Sequence, residues 1–158
     1  NNCRGSGKMI VIFEGPDGAG KTVLLRAFNS ATHYAHIAID RLHLSHMVFA
    51  QMFGRKEYTD DATRRKAEIA IKDFMRVNNV LIVYVKADVS ELRERIRQRG
   101  EDPEAGPDVT ITMALYEHWI EYLGLEKQVL TVDTTNLPGF NVLIAQITKK
   151  IKSMERRK

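Results

Sequence analysis

The chain has 158 residues, 44% of them hydrophobic and 28% charged, with a formal net charge of +4 and a pI near 9.2. This is the composition of one globular domain large enough to bury a core, and no apolar run approaches the ~20 residues of a membrane span. The lone cysteine, Cys3, excludes an internal disulfide or a cysteine-based metal site and fits a reducing, cytoplasmic setting. The first eight residues, NNCRGSGK, read as a vector-derived remnant rather than a signal peptide, which leaves 9–158 as a single domain. The basic excess suits a polyanionic partner.

Met9 to Phe13 is a short apolar run rich in branched residues, expected as a strand buried on both faces. A glycine-rich turn follows, and then an amphipathic helix over Val23 to Ala31 with Leu24, Leu25 and Phe28 facing inward. Tyr34 to Ile39 reads as a second strand ending at Asp40-Arg41, and Leu42 to Phe53 as a helix stopped by Gly54. Asp60 or Asp61 caps a helix running to about Val77, with Ile69, Phe74 and Met75 on its inner side. Val80 to Val85 is a third buried strand. Asp88 then caps a helix over Glu91 to Arg99, closed by Gly100. Gly100 to Asp108 holds two prolines, two glycines and four acids and reads as a mobile loop. Thr110 to Leu123 is helical, Gln128 to Val132 is the last strand, and Pro138 opens a final helix that frays into Lys149 to Lys158. Strands alternating with helices predict a three-layer α/β sandwich around a parallel sheet of four or five strands.

The chemistry concentrates at the turn after the first strand. Gly15, Gly18, Gly20, Lys21 and Thr22 have the spacing G-x-x-x-x-G-K-[ST], with strand before and helix after, the context this motif requires. Glycines let backbone N–H groups wrap an anion, and the new helix adds its positive end at the same place. Gly15, Pro16, Asp17, Gly18, Ala19, Gly20, Lys21 and Thr22 are therefore the expected phosphate cradle. Lys21 reaches the β- and γ-phosphates of ATP, and Thr22 offers a hydroxyl to Mg2+.

Ligands of open parallel sheets bind beyond the carboxyl ends of the strands, so Asp40 and Arg41 fall beside the loop if the two strands are neighbours. A carboxylate there can hold a metal-bound water or take a proton from an acceptor hydroxyl. Arg93, Arg95, Arg97 and Arg99 share one short helix leading into the mobile loop. Arginines on a closing segment neutralise charge on a transferred phosphoryl group. Arg97 and Arg99, nearest the loop, are the favoured pair. Asp17 points at the acceptor from inside the loop, while Glu14, just before it, can help order it. The five histidines show no metal spacing, and Tyr116 and Trp119 read as core.

Together these residues resemble the thymidylate kinase family. Its F-E-G-x-[DE]-G-[AS]-G-K-[ST] pattern is matched by FEGPDGAGKT, Phe13 to Thr22. Its D-R-x-x-x-S element is matched by DRLHLS, Asp40 to Ser45, its lid lead-in by RIRQRGED, Arg95 to Asp102, and its last strand and nucleobase loop by VLTVDTTN, Val129 to Asn136. The resemblance implies a P-loop NTPase fold, ATP and Mg2+ as cofactors, Thr22 and Asp40 at the metal, and Asp40 and Arg41 at the acceptor. It further implies a lid near 95–108 with Arg95, Arg97 and Arg99 supplying charge, and Thr134, Thr135 and Asn136 near adenine.

The chain departs from that family in one respect. Family members insert a strand and helices that clamp the nucleoside monophosphate between the glycine loop and the D-R element, whereas here Lys21 and Asp40 are nineteen positions apart. One helix and one strand fill that interval, so the acceptor side is expected to be open. This resembles the small phage branch that phosphorylates 5-hydroxymethyluracil in DNA, where a flipped-out base enters as acceptor. Asp17 or Asp40 then serves as the base toward the hydroxymethyl group. The alternatives are a thymidylate-like nucleoside monophosphate or deoxynucleoside kinase acting on a free nucleotide or nucleoside, and a nucleotide-binding regulatory module without turnover.

Overall fold

The structure, a computed structural model, describes residues 8–137 and 139–156. The remnant assigned to residues 1–8, apart from Lys8, lies outside the described residues, as do Pro138 and the last two residues of the basic tail. Four strands, β1 (Ile10–Glu14), β2 (Ile37–Asp40), β3 (Val80–Lys86) and β4 (Val129–Asp133), form one parallel sheet in the order β2-β1-β3-β4. Among the described residues seven α-helices join or follow them: α1 (Lys21–Ala31), α2 (His43–Met52), α3 (Lys56–Thr59), α4 (Asp61–Val77), α5 (Val89–Gln98), α6 (Val109–Tyr122) and α7 (Asn141–Glu155), with one turn of 3-10 helix (Glu126–Gln128) before β4.

The two-residue period of a strand sorts the helices into layers. Val11, Phe13, Leu81, Val83 and Val85 point to one face, where they meet Leu24 and Phe28 of α1, Leu92 and Ile96 of α5, and Leu143, Ile147 and Ile151 of α7. Ile12, Ile82 and Tyr84 point to the other face, against Leu44, Met47 and Val48 of α2, Ile71 and Met75 of α4, and Tyr116, Trp119 and Ile120 of α6. The product is an α/β fold with a four-stranded parallel sheet between two helical layers. Tyr116 and Trp119 lie in the core as the sequence predicts.

Several boundaries move for physical reasons. The predicted strand over Tyr34 to Ile39 begins only at Ile37, because His33 and Tyr34 have left-handed backbones (φ 50° and 56°) that interrupt extension. Ile69, expected inside, is 60% exposed. The inner face of α4 is set by Ile71 and Met75 at i,i+4, which puts Ile69 on the opposite side. Asp60 is the cap of α4, accepting from the Thr63 N–H, and Asp108 caps α6. Asp88 makes no side-chain cap. Instead its N–H donates to the Thr135 hydroxyl across the loop after β4.

Successive connections leave β1 toward β2 on one side and β3 toward β4 on the other. The crevice between these diverging connections opens at the carboxyl ends of β1 and β3. Phe13 pairs with Asp40 in the β1–β2 register, so the glycine-rich turn and the Asp40-Arg41 corner emerge side by side.

Candidate active site

The turn between β1 and α1 is held against the sheet more tightly than any side chain permits. Gly15 has φ 145°, and a Cβ there meets the Val85 carbonyl oxygen of β3 at 2.1 Å. Gly18, at φ 76°, passes 3.0 Å from the Leu92 carbonyl oxygen on the same test. Glycine is thus required by close backbone approach as well as by conformation. The turn ends at Gly20, where α1 starts with no side-chain cap and no acid in its first turn. That leaves the positive end of an eleven-residue helix facing the crevice. Asp17, Gly18, Gly20, Lys21, Thr22, Arg95 and Arg99 line a cleft of about 300 Å3 at this point.

Lys21 lies beneath the turn, 6% exposed, with its Nζ donating to the Pro16 carbonyl at 2.7 Å. Burial pushes its pKa down to about 8; Arg41 adds to the shift, and Asp40, Asp17 and Glu14 oppose it. Next to it, the Thr22 hydroxyl donates to Asp40 Oδ2 at 2.7 Å, joining the first turn of α1 to the end of β2. Arg41 follows with a left-handed backbone (φ 60°), its N–H bonded to the Phe13 carbonyl and its guanidinium over the Phe49 ring. Four expected site residues, Lys21, Thr22, Asp40 and Arg41, therefore converge.

Among the described residues no three His, Cys, Asp or Glu side chains converge as a metal site. The Thr22–Asp40 corner offers one hydroxyl and one carboxylate, both hard oxygen donors. That set fits Mg2+, which takes one or two protein ligands and completes its shell with phosphate oxygens and water.

A buried network behind the turn went unassigned in the sequence beyond a general ordering role for Glu14. Glu14 is 1% exposed and accepts from the Leu42 N–H at 2.9 Å and from the Ser45 hydroxyl, which also bonds Tyr116 Oη at 2.6 Å. Desolvation raises the Glu14 pKa, against the pull of its hydrogen bonds and of Lys21. The network locks the last residue of β1 to the start of α2, and so fixes the Asp40-Arg41 corner between them. The spacing of Glu14 and Ser45 within the two matched motifs was the available signal.

The arginines of α5 divide. Arg99 reaches the turn and donates to Asp17 Oδ2 at 2.8 Å, while Asp17 Oδ1 accepts from the Gly18 N–H. Burial alone raises the Asp17 pKa, but the bond and charge of Arg99 outweigh it and hold the carboxyl below its ordinary value. Arg95 acts as a brace. Its guanidinium donates to the carbonyl of Gly18, to the Thr134 hydroxyl and to the Thr134 carbonyl, and pairs with Glu91. Thr134 is 2% exposed, and its hydroxyl donates to the Ala19 carbonyl at 2.9 Å. Arg95 and Thr134, expected beside a cofactor, both hold the turn, and Arg95 also lines the cleft. Thr135 bonds the backbone of Asp88, and Asn136 is exposed at φ 52°. Arg97 does not join the site: it is exposed and pairs with Glu94 one turn away. Its i,i+3 partner lies on its own helix, so the solvated face retains it.

A parallel sheet with helices on both faces, and a glycine turn and a helix N-terminus at its carboxyl edge, define a three-layer α/β fold. No family model matches the chain. It is similar to the SPbeta prophage-derived uncharacterized protein YorR of Bacillus subtilis (strain 168), 29% identical over 107 residues, 68% of this chain and 62% of that protein. The matched region therefore spans somewhat less than two thirds of that relative. The crystal structure of YorR protein from Bacillus subtilis in complex with phosphorylated GDP shares the fold, with a TM-score of 0.65 over 95% of this chain and 99% of that one, at 20% identity.

Proposed function

We propose that the chain is an ATP- and Mg2+-dependent phosphotransferase whose acceptor is the hydroxymethyl group of 5-hydroxymethyl-2'-deoxyuridine within DNA. The observation that carries the reading is the meeting of Lys21, Thr22 and Asp40 beneath an uncapped helix N-terminus, a three-residue set suited to a polyphosphate and its metal. Mg2+, when bound there, would offset negative charge on the phosphates. Backbone N–H groups from Asp17 to Thr22 hold the phosphate chain, and Lys21 exchanges the Pro16 carbonyl for a phosphate oxygen. Thr22 and Asp40 supply the metal's protein ligands. Asp17 or Asp40 accepts the hydroxymethyl proton, and Arg99 brings positive charge to the transferred group.

The DNA acceptor is supported by what stands between α1 and Asp40. The interval contains only the short connection 32–36 and β2, and Asp40 is exposed. Nothing in that interval encloses a monophosphate. A second reading, phosphorylation of a free nucleotide or nucleoside, draws on the phosphorylated GDP held by the structurally similar YorR. One experiment separates them. The γ-phosphate of labelled ATP, and of labelled GTP in parallel, is offered with hydroxymethyluracil-containing DNA, with free thymidylate and with thymidine. Label in the DNA supports the proposal; label confined to the free acceptors overturns it.

A further inference from the structure

The Asp40-Arg41 corner continues into a stack along the outer face of α2 and the turn after it. The Arg41 guanidinium lies 5.5 Å from the centre of the Phe49 ring. Phe49 stacks on Phe53 at 6.1 Å between centroids and 12° between planes. Arg55 covers Phe53 at 5.4 Å. The core does not require these aromatics. Leu44, Met47 and Val48 form the buried face of α2, and Phe49 and Phe53, at i,i+4, lie on the opposite side with Phe53 55% exposed. His46 shares that outer face, 3.9 Å from Glu57 of α3.

We propose that Arg41, Phe49, Phe53 and Arg55 form a stacking track for a single strand of DNA, leading it to Asp40. Two aromatic planes flanked by two guanidinium groups match a strand with a π-face on each base and a charge on each phosphate. A base on a ring is a stronger contact than an exposed guanidinium on the same ring. Bases can therefore take the ring faces while Arg41 and Arg55, on flexible stems, turn to the phosphates. The track begins at the residue that joins the site, so a strand lying along it delivers one nucleotide to the uncovered corner. Its role as an acceptor guide rests on the phosphotransferase reading; its affinity for a strand does not.

The test is fluorescence anisotropy of a labelled oligodeoxythymidine of about 12 nucleotides, with no donor nucleotide present. Phe53 and Arg55 lie outside the phosphate cradle, so Phe53→Ala and Arg55→Ala are the variants, with Phe53→Trp as the stacking-competent control. Phe53→Ala is expected to weaken binding about tenfold, Phe53→Trp to retain it, and Arg55→Ala to flatten the dependence on salt. Unchanged affinity in Phe53→Ala overturns the track, as does equal loss in Phe53→Trp, no affinity for the strand at all, or preference for duplex DNA or RNA. If Phe53→Ala loses the strand while the parent protein transfers no phosphate to DNA, the track stands and the acceptor assignment fails.

Discussion

Arg99 Nη2 lies 2.8 Å from Asp17 Oδ2, a bond that ties the end of α5 to the glycine turn across the cleft. Both side chains are about half exposed, at 45% and 50%, so solvent screens the pair. Its contribution to stability is about 0–1 kcal/mol; on the proposed phosphotransferase reading its weight falls on catalysis. Arg99→Ala is expected to leave the melting temperature almost unchanged while kcat falls on the order of 10^3-fold. Thermal melts beside steady-state kinetics read both quantities. A melting shift with kinetics intact would make the bond a structural tie only.

Lys21 leads to a prediction of the opposite sign for stability. Its folded pKa, pushed to about 8, lies below the unfolded value of 10.5. Between those values the unfolded chain binds more protons, so this group makes stability rise with pH; below about 8 the buried charge opposes folding at full strength. Lys21→Met is expected to raise stability at pH 7 by about 1–3 kcal/mol and to abolish transfer, a loss on the order of 10^3-fold or more. Donor affinity in the parent protein should weaken as pH rises through about 8, with proton uptake on binding at that pH. Calorimetry in buffers of different ionisation enthalpy measures the uptake directly. Absence of uptake, with affinity flat across that range, removes the ammonium from the site.

The Glu14–Ser45–Tyr116 network predicts stability effects away from the cleft. Ser45→Ala leaves Glu14 and Tyr116 each short of a partner in a buried place, a loss of about 1–3 kcal/mol. Because burial raises the Glu14 pKa, the folded state binds more protons between 4.5 and that raised value. The contribution of this group is therefore complete below 4.5 and is lost as pH rises through the folded pKa. Glu14→Gln is expected to remove that part of the pH dependence in denaturant melts. An unchanged slope means Glu14 titrates normally.

How much could be read beforehand depends on the range of each interaction. The glycine turn, the strand-helix order and the Asp40 corner follow from local spacing and from the rule that parallel strands present ligands at their carboxyl ends, so they were legible. The contact between Asp17 and Arg99 is not legible from spacing, because 82 positions separate them. The exposure of Ile69 is set by tertiary packing, which buries Ile71 and Met75 and so fixes the phase of α4. Arg97 and Arg99 were indistinguishable by distance from the loop; the helix phase, which turns Arg97 toward Glu94, separates them. The stack from Arg41 to Arg55 was invisible because phenylalanines in a helix read first as core.

Arg95 offers the sharpest distinction between a brace and a ligand. Its planar fork meets Gly18, both oxygens of Thr134 and Glu91 at once, a geometry that an ammonium group cannot reproduce. The bonds cross from α5 to the loop after β4 and to the glycine turn, so removing them loosens the turn. Arg95→Lys is accordingly expected to fail to rescue Arg95→Ala. Both should lower the melting temperature by several degrees, equivalent to about 1–3 kcal/mol, and both should weaken donor binding in proportion. Thr134→Val should reproduce the melting shift, because it removes the hydroxyl that links Arg95 to the Ala19 carbonyl. If Arg95→Lys retains donor affinity while Thr134→Val is silent, Arg95 contacts the nucleotide itself, as the resemblance to thymidylate kinases implies, and the brace is incidental.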